Sequence, residues 1–83
     1  MYQVIYYYKE TVGKVVVLNE VKRNIFRLRK NALHYILEII QNDYRKDGWG
    51  TEPIKGGISC YKSVKTDNGD RKIMEVKIVV EKA

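Results

Sequence analysis

Five cations stand within nine residues, Lys22, Arg23, Arg27, Arg29 and Lys30, with no acid among them. Clustered Lys and Arg neutralise phosphates and release their counterions. Arg adds a bidentate grip on phosphate or carboxylate groups that Lys lacks. The competing account of the same cluster is a solvated strand edge, where cations discourage edge-to-edge association. Residues 1–30 carry seven Lys/Arg against two Glu, whereas residues 31–83 carry nine against eight acids. Most of the net charge of +6 is therefore N-terminal.

The second group is aromatic. Tyr2, Tyr6, Tyr7 and Tyr8 share the first apolar segment, and Tyr61 lies on a later one expected to run near it. Strand alternation must turn some of these rings outward, and Tyr6, Tyr8 and Tyr61 are taken as the contact set. Outward Tyr beside cations can stack the bases of single-stranded nucleic acid or anchor a protein interface. Ordinary cross-strand packing of the rings is the alternative. Trp49, between Gly48 and Gly50, is read as a lid folded over the end of a helix, with a loop contact as the second reading.

No catalytic grouping emerges. His34 is the only histidine, and a general base needs an acid or nucleophile positioned beside it. Cys60 shares strand parity with Ile58 and Val64 and reads as a small buried hydrophobe. One His and one Cys fall short of the four ligands of a structural zinc. The glycines of 48–57 lack phosphate-cradling spacing, and no Gly-Lys-Ser or Gly-Lys-Thr follows them. The expectation is a protein without enzymatic activity, cofactor or metal.

Around these residues the pattern specifies one α+β domain over 1–83. Tyr2 to Thr11 and Lys14 to Val21, rich in β-branched and aromatic residues, read as a hairpin linked at Val12-Gly13. Residues 24–30 fit either an extended segment or an early helical turn. The extended form, which is favoured, throws Arg23, Arg27 and Arg29 to one side. Asn31 is expected to cap a helix running to about Lys46, with Leu33, Ile36, Leu37, Ile40 and Tyr44 on its apolar stripe and Gly48 to stop it. Residues 47–57 read as a connection. Ile58 to Thr66 and Arg71 to Glu81, turning at Asp67-Asn68-Gly69-Asp70, form a second hairpin. The result is a mostly antiparallel sheet of about four strands, ββαββ, with one amphipathic helix on one face and the other face in water.

With 45% apolar and 31% charged residues the chain lies outside the disordered regime. It shows no secretory leader and no apolar run long enough to span a bilayer, so a cytoplasmic protein without membrane contact is expected. A lone cysteine agrees with a reducing compartment. The leading functional expectation is a basic binding module that contacts nucleic-acid phosphates through residues 22–30. The alternative is a protein-interaction module. That could be a homodimer through a sheet edge or open face, or a small phage-type or mobile-element inhibitor or accessory protein docking on an acidic surface.

Overall fold

The computed structural model describes residues 1–83. Strands β1 (Tyr2–Val12) and β2 (Val15–Phe26) form a long hairpin that turns at Gly13, whose φ of 60° a glycine adopts without steric cost. The chain bends at Arg27 and Leu28 and enters helix α1 (Arg29–Ile39), which continues as a π-helical segment, Ile40–Arg45. Strands β3 (Gly50–Ile54), β4 (Gly57–Lys65) and β5 (Arg71–Lys82) follow. All five strands join one antiparallel sheet in the order β2-β1-β5-β4-β3.

The antiparallel α+β architecture matches the sequence reading, with five strands in place of about four. The addition is β3, which lies inside the expected connection 47–57. Gly50 and Pro53 obscure it, but β3 is a sheet edge paired only with β4, and an edge strand tolerates a proline. Residues 24–26 are extended, as favoured, yet they belong to β2. Arg27 then sits in the bend and Arg29 in the helix, so Arg23, Arg27 and Arg29 do not line one side of an extended segment.

Helix α1 starts earlier than its expected cap. Leu28, extended at φ −114° and ψ 138°, occupies the cap position with no side-chain hydrogen bond, and its carbonyl accepts from the Asn31 and Ala32 amides. Asn31 lies inside the first turn, so it is not the cap. The deciding factor is burial: Ala32, Ile36, Ile40 and Tyr44 face the sheet, whereas Leu37 remains 63% exposed. Four-residue steps over-rotate an α-helix by about 40° each. The wider i→i+5 turns of Ile40–Arg45 offset that drift and keep Tyr44 in line with the three residues before it. Gly48, at φ 80°, ends the segment, its amide donating to Arg45 while that of Trp49 donates to Tyr44.

The core lies between this helix and the β1, β5 and β4 side chains Val4, Val76, Ile78 and Cys60. Trp49 packs edge-on against Tyr44 at 4.9 Å between ring centroids, which is the lid arrangement. Where β4 begins, the backbones of β4 and β5 approach so closely that a Cβ on Gly57 would stand 1.9 Å from the Ile78 carbonyl oxygen. Neither backbone can yield without breaking the pairing. Gly57→Ala is therefore expected to destabilise the fold by about 3 kcal/mol or more, read as a lowered urea midpoint. Gly13→Ala, which meets nothing within 4 Å, should cost only about 1–2 kcal/mol through its positive φ.

Candidate functional site

Residues paired across an antiparallel sheet share a face. The core residues mark the helix-covered face, so the register assigns every other side chain. Tyr6 and Tyr8, paired with Lys22 and Glu20, lie on the covered face with Val4. The uncovered face carries Ile25, Arg23, Val21 and Asn19 from β2, and Gln3, Ile5, Tyr7 and Lys9 from β1. Beside them stand Glu81, Val79, Lys77 and Glu75 from β5, then Ser59 and Tyr61 from β4.

This placement corrects the expected contact set. Tyr6 and Tyr8 are half-buried, with parallel rings 6.4 Å apart. The Tyr6 hydroxyl is hydrogen-bonded to the Tyr44 hydroxyl, and Tyr8 donates to Glu10 Oε1 at 2.7 Å. The outward rings are Tyr61 and Tyr7, the latter outside the expected contact set; they are 52% and 39% exposed. The Tyr61 ring covers Gly50 of β3, where a side chain would collide with it at 2.6 Å.

The cations of 22–30 do not form one patch. Lys22 and Arg23, adjacent in β2, point to opposite faces, Arg27 sits in the bend, and Arg29 and Lys30 occupy the first turn of α1. None joins an ion pair. The ion pairs present are Lys62 with Asp47 and Lys72 with Glu10, and the His34 imidazole contacts Glu38. The positive end of α1 carries Arg29 and Lys30 and no acid, an arrangement that adds cations to the helix dipole's positive pole and weakens the helix.

On the uncovered face Arg23, Lys9 and Lys77 surround Tyr7, with Glu75 beside Lys9 in the register. A depression of about 350 Å³ is lined there by Tyr7, Tyr8, Lys9, Asn19, Glu75 and Lys77. Lys9, Arg23 and Lys77 are free of ion pairs. What this surface offers chemically is flat aromatic area and long flexible cations, suited to a planar or phosphate-bearing partner.

The covered side offers different chemistry. A cleft of about 250 Å³ between helix and β2 holds Lys22, Asn24, Tyr35, Asp43 and the Tyr6–Tyr44 pair. Burial pushes both phenols above their usual range, so they stay protonated and supply no phenolate at neutral pH. Burial likewise raises the Cys60 thiol, which lies fully covered in the core, while His34 faces solvent and pairs with Glu38 at 3.1 Å. The two therefore do not meet. No group of three His, Cys, Asp or Glu side chains is placed to hold a metal ion, and no helix is long and apolar enough to cross a membrane.

Comparison with protein-family models, curated proteins and solved structures finds no match to this chain. The site therefore rests on its own geometry.

Two further titrations, of Glu10 and Tyr8, belong to the covered face. The Tyr8 hydroxyl, and then Lys72 at 3.1 Å, hold the Glu10 carboxyl below its usual range against the opposing effect of burial. A depressed folded pKa contributes stability above the unfolded value, and that contribution is lost as pH falls through the folded value. Acid unfolding curves should therefore flatten in Glu10→Gln relative to the parent, most visibly below about pH 4.5. Tyr8, pushed up to about 12 by burial and by Glu10, adds stability that is present below pH 10 and lost as pH rises toward 12. Absorbance at the phenolate band in Tyr8→Phe should show one fewer late-titrating tyrosine.

Proposed function

We propose that this chain binds single-stranded nucleic acid across the uncovered face of its sheet. One observation carries the reading: two exposed rings, Tyr7 and Tyr61, share a face with Arg23, Lys9 and Lys77, none of which is neutralised by an ion pair. Strand spacing separates the two rings by roughly 12 Å, enough for each to stack a different base. The cations then follow the backbone phosphates between them.

The start of the helix supports the same reading. Arg29 and Lys30 sit where acids would stabilise the helix, and a local choice made against stability is what a binding site produces. A phosphate there would gain from both cations and from the first-turn amides. Arg27 in the bend joins them to Arg23, so the cations of 23–30 act as a path around the end of the sheet rather than as a single strip. Lys22, on the covered face, belongs to the cleft instead.

The interaction-module alternative has one observation of its own, the exposed apolar edge of β2.

Fluorescence anisotropy with a labelled single-stranded oligonucleotide tests the proposal. Engaging about five phosphates should give a slope of log K on log salt near −3.5. Tyr7→Ala and Tyr61→Ala should each weaken binding about tenfold, with the circular dichroism of the parent retained. Lys30→Glu makes the reading distinctive: it should raise Tm by easing the helix pole while lowering affinity. No binding even at low salt, or full affinity in both tyrosine variants, would remove the proposal.

A further inference from the structure

The two edges of the sheet are built differently. Edge β3 is five residues long and contains Pro53, both of which discourage a neighbouring strand. Edge β2 is twelve residues long, and every residue from Val15 to Ile25 is exposed. Val15, Val16, Val17, Leu18, Val21 and Ile25 are between 36% and 63% exposed, an apolar edge without proline. Natural sheets seldom leave so long an apolar edge unpaired.

The backbone defines what that edge presents. The Val80 amide donates to the Gly56 carbonyl, away from β1, whereas the Ala83 amide donates to Met1 and the Arg71 carbonyl accepts from Gly13. Odd-numbered residues of β5 thus point their backbone groups toward β1. Following the register across, Val4, Tyr6 and Tyr8 bond to Asn24, Lys22 and Glu20. The backbone groups of Asn19, Val21, Arg23 and Ile25 are therefore directed outward, with no strand to receive them.

We propose that β2 pairs antiparallel with β2 of a second copy of this chain, with Val21 facing its own counterpart on the two-fold axis. Charge selects both the occupant and the register. An axis on Glu20, Lys22 or Arg23 would set like charges face to face, and an axis on Asn19 would place Lys22 and Arg23 opposite Val16 and Val15. With the axis on Val21, Glu20 of each copy stands opposite Lys22 of the other, twice per dimer, and Arg23 stands opposite Asn19. The Glu20 and Lys22 positions fall in a non-hydrogen-bonded pair, where opposed side chains lie closest, about 4.5 Å between Cα atoms. Val21 and the Asn19–Arg23 pairs supply on the order of six backbone hydrogen bonds.

The product is a continuous ten-stranded sheet with both helices on one face. The two uncovered faces merge, and one Arg23 from each copy stands near the centre. The inference goes beyond the nucleic-acid reading and does not depend on it, since its support is the edge and its charges alone.

Sedimentation equilibrium of the full chain across a concentration series tests the pairing. The parent should associate to a dimer. Val21→Pro removes an amide that only the second copy uses, so it should sediment as a monomer with the parent's circular dichroism. E20K and K22E should each weaken the dimer about tenfold by opposing like charges, and the combined E20K/K22E variant should recover it. Oxidised V21C should form a covalent dimer, because the paired Cα atoms lie about 5.5 Å apart. Oxidised N19C should not, with its counterpart roughly 13 Å away along the strand. Buried Cys60 does not compete. A parent that stays monomeric at millimolar concentration would overturn the proposal, as would a dimer that survives Val21→Pro or a charge swap that fails to restore association.

Discussion

The chain leaves β2 at one edge of the sheet and must begin β3 at the other. Five strands spaced about 4.8 Å apart put roughly 19 Å between those edges. The seventeen residues from Arg29 to Arg45 span roughly 25 Å as helix, just enough to cross. This single crossing sets the geometry of both faces of the sheet. It fixes which face is covered and aims the Ala32, Ile36, Ile40 and Tyr44 stripe at Val4, Val76, Ile78 and Cys60. It also leaves the opposite face and the flank of β2 in water.

A cover that narrow makes a thin core. Nine residues of 83 are buried, so stability must come largely from the sheet itself. Strands β1, β2 and β5 are eleven or twelve residues long, longer than a helix lying across them can shield. Ile5 illustrates the compensation: it lies on the uncovered face yet is only 3% exposed, enclosed by its own neighbours in the sheet. The long hairpin therefore keeps Ile5 buried on a face that no second layer reaches, beside the exposed Tyr7 and the cations around it.

The sequence made the turns and the last strand legible because their causes are local. Gly13 and Asn68-Gly69 announce hairpins, and Met74, Val76, Ile78 and Val80 alternate cleanly over a core that covers one side of β5. The first strand was blurred for a physical reason: Val4 and Ile5 are both buried, one under the helix and one among its neighbours, so neither parity stood out. That ambiguity hid the exchange of Tyr6 and Tyr8 for Tyr7. Only the β1–β5 register, which sets Tyr7 opposite Lys77 on the face away from Val76 and Ile78, assigns the outward ring. The cation cluster was legible as composition but not as a surface, since strand alternation and the bend at Arg27 and Leu28 distribute it over two faces and a helix start. Asn31 had the chemistry of a cap, but the need to bury Ala32 set the helix start earlier.

The proposed contact surface is the sheet face left bare by the crossing helix. Backbone amide chemical-shift mapping during titration with a single-stranded oligonucleotide addresses it residue by residue. Binding at that face should give the largest shifts at Tyr7, Lys9, Arg23, Lys77 and Tyr61, with Ala32, Ile36 and Cys60 unmoved. Shifts centred on the helix-side cleft around Lys22 and Asp43, or none at saturating oligonucleotide, would contradict it.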